Sequence, residues 1–374
     1  MSAVNSLNAG PAKKKPGARA RLTTLLVCNF LGSLLLFIAA SAASSQSAQS
    51  ILPGPKPDHA PSRWKPFIGT YENKTFKKTA LVLETDGRLA YQFLDPGAVK
   101  PILLSEGPLP GDRFEVELAQ PRIEIRFDRD AAAKVIALHL PDGAYRRIDP
   151  PVADSSTQRL ESIERLRAIA LSVSAPKENR TFRKSDLVEL EKLDRAIHLD
   201  IRYATANDFL GVPVYTQARA FLQRPAAEAL VRVLHKLEPL GYGLLIHDGY
   251  RPWYVTKIFW DATPAEGKIF VADPAQGSRH NRGCAVDLTL YDLKTGAPIE
   301  MTGDYDEMSS RSFPNYPGGT SLERWHRDLL RRAMESEGFT VYESEWWHFD
   351  YKDWPEYGIL NIPFEKLGVG SEPK

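Results

Sequence analysis

The chain has 374 residues, of which 43% are hydrophobic, 10% aromatic and 25% charged. This composition excludes wholesale disorder, collagen-like repeats and a polytopic membrane protein, and the length suggests two domains. The formal net charge of +1 argues against a strongly basic nucleic-acid-binding protein. Because only two cysteines are present, the chain is not a disulfide-stabilised scaffold either.

The beginning of the chain, residues 1–42, has the pattern of a secretory signal peptide. Basic residues at positions 13–21 precede an apolar run over 22–43, and small residues stand at 40–42, where signal peptidase would cleave. We therefore expect an exported protein, periplasmic or secreted. An uncleaved inner-membrane anchor is the alternative, because the run approaches the roughly 20 residues that span a bilayer. The Ser-, Gln- and Pro-rich stretch over 43–62 predicts a flexible linker.

Residues 63–150 predict a small antiparallel β barrel or sandwich. Apolar and polar residues alternate in short segments such as 79–84 and 122–127, and turn signals such as Asp86-Gly87 separate them. Strands at this spacing are typical of small barrels. The opening at 67–72 resembles the start of lipocalin-like modules appended to some bacterial serine hydrolases. We find no cluster of His, Cys or carboxylates there, so we expect an accessory module that binds a partner or self-associates.

Residues 151–182 predict a connecting helix and linker before the second domain. Apolar residues recur at helical spacing over 155–173. The residues expected on its buried face are Leu160, Ile163, Leu166, Ile169 and Ala170. A further helix is predicted over 321–337, with His326 on its exposed surface.

Residues 183–374 contain three separated segments suited to catalysis. In the first, a strand leading into a Gly/Pro turn would place Arg251 at the mouth of a site. In the second, His280 and Asp287 offer a nitrogen and an oxygen ligand on either side of a turn at Gly283. Asp287 lies in an apolar strand, where an unpaired carboxylate is costly to bury. Either an arginine or a metal ion should therefore face it.

The third segment is Glu345-Trp346-Trp347-His348. Residues three apart lie on opposite faces of a regular strand, so Glu345 and His348 converge only if the chain bends between them. Alone, His348 is more simply a packed core histidine. Together with His280 and Asp287 it completes a three-ligand set that leaves zinc a fourth position for water. Glu345 is then a candidate general base. A serine hydrolase is disfavoured because no Gly-x-Ser-x-Gly motif occurs.

The pattern Ser278-x-His280-x-x-Gly283-x-Ala285-x-Asp287 combines with Glu345-x-x-His348 and with the stretches 200–211 and 248–252. In this combination the sequence resembles the D-alanyl-D-alanine dipeptidases. These belong to a wider zinc peptidase group that includes D,D-carboxypeptidases and the hedgehog signalling domain. The resemblance covers roughly residues 186–364 and implies an α+β fold with an antiparallel sheet flanked by helices.

The same resemblance implies one zinc ion and hydrolysis of a small D-amino-acid dipeptide or a peptidoglycan-derived peptide in cell-wall turnover. It implies His280, Asp287 and His348 as zinc ligands, Glu345 as the base, Arg251 as the group that stabilises the tetrahedral intermediate, Asp306 as the partner of the substrate's amino group, and Tyr203 and Ser278 as further substrate contacts. The sequence departs from the vancomycin-resistance enzymes in a shorter segment over 253–277 and in the added β module.

Two other readings stay open. One is a D,D- or L,D-carboxypeptidase that trims the stem peptides of peptidoglycan. Asp306 weighs against it, because an anchor for an amino group rewards a dipeptide and penalises a longer chain. The other is a non-catalytic, zinc-bearing binding module. Glu345 and Arg251 weigh against that reading, because binding alone needs neither a base nor a partner for an oxyanion.

Overall fold

The computed structural model describes residues 50–94, 100–105, 112–117, 119–148 and 157–368. The predicted signal peptide lies outside the described residues, as does the linker up to residue 49. Apart from Ser50, the described residues all belong to one compact unit, residues 51–374, which is the second of the two into which the chain divides. Within the described ranges, every helix is too short or too polar to cross a bilayer.

The second unit begins with residues 51–57, which lie against the C-terminal domain. Ile51 is 2% exposed and belongs to the hydrophobic core of that domain. The ammonium group of Lys56 donates a hydrogen bond to the Tyr242 hydroxyl, over 2.7 Å. The flexible linker predicted over 43–62 is therefore wrong for residues 51–57, because apolar burial and a hydrogen bond hold this part in place.

Eight strands then form a closed barrel in which neighbours pair in chain order. They are β1 (Gly69–Asn73), β2 (Lys78–Thr85), β3 (Arg88–Phe93), β4 (Ile102–Ser105), β5 (Arg113–Val116), β6 (Glu124–Arg129), β7 (Val135–Leu140) and β8 (Gly143–Ile148). Each pairing is antiparallel, and β1 closes the barrel on β8. At the β2–β3 turn, Asp86 and Gly87 have φ angles of 51° and 74°, as a tight two-residue hairpin requires. The predicted small β barrel is confirmed.

Side chains fill the interior of the barrel. Tyr71 and Tyr145 are fully buried, and the rings of Phe67 and Phe127 pack with centroids 4.7 Å apart. An eight-stranded barrel is just wide enough for inward side chains to fill it. The interior is therefore a packed hydrophobic core.

The helices of the described residues are α1 (Thr157–Ser172), α2 (Arg224–Leu237), α3 (Trp253–Ala262) and α4 (Ser321–Glu335). Helix α1 confirms the predicted connecting helix, and it packs against α3. Its buried face differs from the prediction. Ile163 and Ala170 are buried, whereas Leu160 and Ile169 are exposed. The buried stripe follows the spacing i, i+3, i+4, i+7 and includes Arg167, which donates to the Val214 carbonyl over 2.9 Å.

The strands of the C-terminal domain are β9 (Leu187–Glu189), β10 (Ile197–Leu199), β11 (Phe221–Gln223), β12 (Tyr242–Asp248), β13 (Ala285–Asp292), β14 (Phe339–Tyr342) and β15 (Glu345–Tyr351). Five of them form one sheet of order β10-β12-β13-β15-β14, while β9 pairs separately with β11. The antiparallel sheet that we expected is corrected at one edge, where β10 runs parallel to β12. The fold is thus mixed α/β, with α2 and α4 packed on the sheet and on each other.

Helix α4 lies where a helix was predicted over 321–337. It begins with a capping box, in which Thr320 and Glu323 each accept the other's backbone N–H. The prediction for His326 is wrong, because this residue is buried and its Nε2 lies 3.1 Å from the Tyr242 hydroxyl. Burial lowers the pKa of His326 to about 4, so its imidazole is neutral at pH 7.

Candidate active site

Three buried side chains converge from a tight turn and two neighbouring strands. His280 starts the turn His280–Arg282, Asp287 lies on β13 and His348 on β15. Asp287 and His348 are directly paired across the two strands. Gly283 ends the turn with a φ of 68°, and an added Cβ there would meet Leu187 at 2.5 Å. The predicted role of Gly283 in a tight turn is therefore confirmed.

Each of the two imidazoles donates a hydrogen bond from one ring nitrogen, which turns its other nitrogen towards the other imidazole. His280 donates from Nδ1 to the Gly249 carbonyl over 2.7 Å, and His348 donates from Nε2 to Asp350 over 2.9 Å. Because carbonyl and carboxylate oxygens only accept, Nε2 of His280 and Nδ1 of His348 keep their lone pairs. Those two lone-pair nitrogens lie 3.1 Å apart.

Asp287 completes the group with an oxygen that has no hydrogen bond. Its Oδ2 accepts from the Tyr305 hydroxyl over 3.1 Å, while its buried Oδ1 has no hydrogen-bond partner among the described residues. Oδ1 lies 3.3 Å from His280 Nε2 and 3.1 Å from His348 Nδ1. Tetrahedral ligands with bonds of about 2.0–2.1 Å stand roughly 3.3 Å apart, so these three atoms fit zinc. The His/Asp/His group is a possible metal site.

An irregularity between β14 and β15 brings Glu345 to the same site. Val341 pairs with Phe349, but the next residue of β14, Tyr342, pairs with Glu345, so the chain bulges over residues 346–348. A carboxylate oxygen of Glu345 consequently lies 3.6 Å from Nδ1 of His348. The bend that the sequence required between these two residues is confirmed.

The carboxyl group of Glu345 is set up for proton transfer. Burial raises its pKa to about 7, with a further upward contribution from the Asp287 carboxylate, while nearby His348 acts in the opposite direction. A carboxyl group with a pKa in this range can take up and release a proton near neutral pH.

Arg251 is held beside the possible metal site by hydrogen bonds to a neighbouring carboxylate. Its Nε donates to Asp248 over 2.9 Å, and its Nη2 lies 2.8 Å from the same carboxylate. The guanidinium also lies over the rings of Tyr203 and Phe259, 5.2 and 4.7 Å from their centroids. Nη2 is 3.7 Å from Oδ2 of Asp287, so an arginine faces one oxygen of that carboxylate and the histidine lone pairs face the other.

Asp306 supplies a second carboxylate oxygen without a partner. Its Oδ1 accepts from the Tyr203 hydroxyl over 3.0 Å, whereas Oδ2 is buried and has no hydrogen-bond partner among the described residues. Burial raises the pKa of Asp306 well above its usual range, and the Asp287 carboxylate adds to this. A cationic group at Oδ2 would offset the cost of burying the ionised form of this carboxylate.

The three possible metal ligands line one cleft with Glu345, Arg251 and Asp306, and its volume is about 730 Å³ when the open mouth is included. Apolar side chains, among them Phe209, Phe270 and Trp347, form much of the remaining wall. Ser278 also lines the cleft, and its hydroxyl accepts from the backbone N–H of His280 over 3.2 Å. Ser278 thus supports the turn that carries His280.

Comparisons with known proteins agree with this geometry. A family model described as D-ala-D-ala dipeptidase matches residues 183–366. A D-alanyl-D-alanine dipeptidase of Escherichia coli K12 is 34% identical over 180 residues, which are 48% of this chain and 92% of the relative. The chain belongs to the D-alanyl-D-alanine dipeptidase family. It is an enzyme, a metallopeptidase, and residues 183–366 form its dipeptidase domain.

Two other relatives match the dipeptidase domain. A D-alanyl-D-alanine dipeptidase of Enterococcus faecalis is 35% identical over 184 residues, with 44% of this chain and 91% of the relative covered. A D-alanyl-D-alanine dipeptidase of Streptomyces coelicolor is 34% identical over 188 residues, with 46% of this chain and 93% of the relative covered. Because these relatives are matched over nearly their full length, the barrel is an addition to the domain that they share.

The dipeptidase domain brings every predicted site residue to the cleft. These are Tyr203, Arg251, Ser278, His280, Asp287, Asp306, Glu345 and His348. Three supporting residues were missed. Asp248 holds Arg251, Asp350 orients His348 and Tyr305 bonds Asp287. Asp248 stands three residues from Arg251 and Asp350 two residues from His348, so their short spacing was a signal in the sequence. No sequence signal pointed to Tyr305.

Proposed function

We propose that this protein is a zinc-dependent dipeptidase that hydrolyses D-alanyl-D-alanine in the turnover of cell-wall peptides. The observation that carries the proposal is the convergence of three lone-pair atoms, from His280, Asp287 and His348, beside the buried carboxyl group of Glu345. The relatives' names support the choice of substrate.

Two imidazoles and one carboxylate are a donor set that suits zinc and leaves a coordination position open. His280 Nε2, Asp287 Oδ1 and His348 Nδ1 would hold the ion. When bound, zinc supplies a Lewis acid that polarises the peptide carbonyl and lowers the pKa of water to about 7.

The protein's own groups handle the protons and the developing charge. Glu345 takes the proton from the attacking water and passes it to the leaving amine, in keeping with its raised pKa. Arg251, fixed by Asp248, donates to the oxyanion of the tetrahedral intermediate. Loss of one such donor costs roughly 10²–10³ in kcat.

Asp306 selects for a dipeptide. Its unpartnered Oδ2 pairs with the substrate's free ammonium group, while Tyr203 holds Oδ1. In a longer peptide this position is an amide, which carries no charge and would leave the carboxylate buried and unpaired. This preference separates the proposed dipeptidase from a carboxypeptidase that trims stem peptides.

We also propose that the protein is exported. The support is the sequence of residues 1–42, whose basic, apolar and small-residue segments follow in the order of a secretory signal. N-terminal sequencing of protein recovered from the periplasm or the medium tests this, with cleavage near Ala42 as the expected result.

The test of function is a substrate panel offered to the purified, zinc-loaded chain. The panel contains D-Ala-D-Ala, L-Ala-L-Ala, N-acetyl-D-Ala-D-Ala and a stem pentapeptide that ends in D-Ala-D-Ala. We expect rapid cleavage of D-Ala-D-Ala alone. Cleavage of the pentapeptide without the dipeptide would instead identify a carboxypeptidase.

A further inference from the structure

We propose that the N-terminal barrel is a positioning element of the active site. It docks on residues 302–320, the anchor segment, which contains Asp306. Recognition of the substrate's amino group then depends on a module that lies outside the matched dipeptidase domain. The inference rests on the proposed function for the role of Asp306.

One strand of the barrel is buried on both faces. In β2, the side chains of Ala80 and Val82 belong to the interior core, while Leu81 and Leu83 point outward and are nevertheless buried. A barrel strand that faces water alternates between apolar and polar residues. An outward apolar pair therefore calls for a partner on the outside of the barrel.

That partner is Tyr316 of the anchor segment. Its side chain is 4% exposed and packs in one hydrophobic cluster with Leu81, Leu83 and Ala90 of the barrel. Its hydroxyl lies 3.5 Å from the hydroxyl of Thr70 on β1. The ring thus occupies an apolar patch of the barrel wall and ends at a polar group there.

A carboxylate from the barrel fixes the end of the same segment. Glu84, which is 2% exposed, accepts from the backbone N–H of Ser321 over 2.6 Å and from its hydroxyl over 3.2 Å. Ser321 opens α4, where free N–H groups and the helix dipole favour an anion. The backbone N–H of Glu84 also donates to the Gly319 carbonyl over 3.1 Å, and Arg324 donates to the Glu84 carbonyl over 2.8 Å.

Contacts inside the anchor segment connect this docked end to Asp306. Nε of Arg311 donates to the Thr302 carbonyl over 3.0 Å, and Ser312 donates to the Glu307 carbonyl. These contacts close the loop around Asp306, whose φ of 58° is left-handed. A residue other than glycine keeps that conformation when its surroundings enforce it. Holding the end of the loop therefore helps to hold the carboxylate.

The barrel is fixed to the domain on more than one side. Lys65 forms an ion pair with Glu300, just before the anchor segment, with Nζ 2.6 Å from the carboxylate. In the chain, the barrel follows residues 51–57 and precedes α1, both of which pack on the C-terminal domain. The barrel can therefore hold the segment from a defined position.

The test compares Glu84→Ala with Glu115→Ala in the zinc-loaded full chain. Glu115 is a matched control, because its carboxylate lies on β5 and is bonded by Arg122 within the barrel. For Glu84→Ala we expect a roughly tenfold rise in KM for D-Ala-D-Ala with kcat within about threefold. The preference for D-Ala-D-Ala over N-acetyl-D-Ala-D-Ala should fall by a similar factor, at unchanged zinc content. Glu115→Ala should behave as wild type.

A second measurement does not depend on turnover. Hydrogen–deuterium exchange of residues 302–313 should be faster in Glu84→Ala than in Glu115→Ala. Glu84→Gln, which keeps an acceptor oxygen for Ser321, should give an intermediate result and decides the question if the alanine variant does not fold. Unchanged exchange and unchanged amine preference would overturn the positioning role. A wild-type chain that ignores D-Ala-D-Ala would refute the proposed function, while the exchange data would still test the docking.

Discussion

The barrel interior and the dipeptidase cleft are both rich in aromatic side chains, yet they treat polar groups differently. In the barrel, the hydroxyls of Tyr71 and Tyr145 are bonded to the Phe67 carbonyl and to Asp142. In the cleft, Asp287 and Asp306 each bury one oxygen that finds no hydrogen-bond partner in the described part of the chain. Unsatisfied buried groups are costly and rare. The two unsatisfied atoms in the cleft are carboxylate oxygens, which suit a metal ion and a cationic substrate group, whereas the paired hydroxyls of the barrel belong to a packed core.

The largest effect should follow from removing a metal ligand. His280→Ala leaves two ligands in a cleft still crowded with carboxylates, so we expect loss of bound zinc and of roughly 10⁴-fold or more in kcat/KM. Zinc content per chain, by atomic absorption, and dipeptide hydrolysis check this. His235→Ala, at an exposed histidine bonded to Asp194, should change neither quantity. Full activity of His280→Ala without zinc would contradict the assignment of the site.

Removing the base should separate chemistry from metal binding. Glu345→Gln keeps the size of the side chain but cannot take a proton, so kcat should fall by roughly 10²–10⁴ while one zinc ion per chain is retained. Turnover and zinc content on the same sample measure this. Retained turnover in the zinc-replete variant would remove Glu345 from the role of base.

Much of this site could be predicted because its chemistry is concentrated in short motifs. His280 and Asp287 lie on either side of Gly283, whose left-handed conformation the turn requires. Glu345 and His348 are three residues apart on a strand and can converge only if the strand bends, and a bulge provides that bend. The hydrogen bond to Asp287, by contrast, depends on a residue placed by tertiary structure. Tyr305 reaches Asp287 from a loop 18 positions further along the chain.

Two of the errors, those at His326 and at residues 51–57, have one cause, which is docking between distant segments. His326 was expected on the surface of a helix, but Tyr242 covers it. Residues 51–57 read as linker by composition, yet Ile51 is buried in the domain core. The alternation in residues 79–84 correctly predicted a strand, but it did not explain why Leu81 and Leu83 point outward. The structure explains this, because Tyr316 packs against them. Local patterns define elements, and they do not specify which elements meet.

The same chemical change in the two regions should have different consequences. Tyr305 donates to Asp287 over 3.1 Å in the cleft, and Tyr145 donates to Asp142 over 2.9 Å in the barrel. Tyr305→Phe should weaken zinc binding by roughly 10–100-fold, because the freed carboxylate loses its fixed orientation. Tyr145→Phe should leave zinc affinity unchanged and lower the free energy of unfolding by about 1 kcal/mol.

Competition with a chelator of known affinity measures zinc binding in both variants, and urea denaturation measures their stability. Equal losses of zinc affinity in the two variants would show that the hydroxyl in the cleft has no special relation to the metal ligand. A loss confined to Tyr305→Phe would sharpen the difference between the regions.

The smallest effect concerns a partly buried charge that contributes to stability alone. Glu189 on β9 pairs with Arg219 and Lys192. Hydrogen bonds from Arg219 lower the pKa of Glu189 to about 2. Burial acts in the opposite direction, and Lys192 lowers the pKa further. Because the folded-state pKa lies below the unfolded value of about 4.3, the pair stabilises the folded state above about pH 5. That stabilisation is lost as the pH falls towards 2.

Glu189→Gln should therefore lower the free energy of unfolding by about 1–2 kcal/mol at pH 7, without altering kcat/KM. The gap between variant and wild type should narrow from about pH 5 downward, because protonation then removes the charge from the wild type as well. Urea unfolding at pH 7, 5 and 3 measures this. The control is Asp186→Asn, at the exposed pair with Arg224, which should lower the free energy of unfolding by less than about 0.5 kcal/mol. A gap that persists at low pH would mean that Glu189 acts through packing. In the cleft, by contrast, the roles that we propose for the buried carboxylates of Asp287 and Asp306 are to bind a metal ion and an ammonium group.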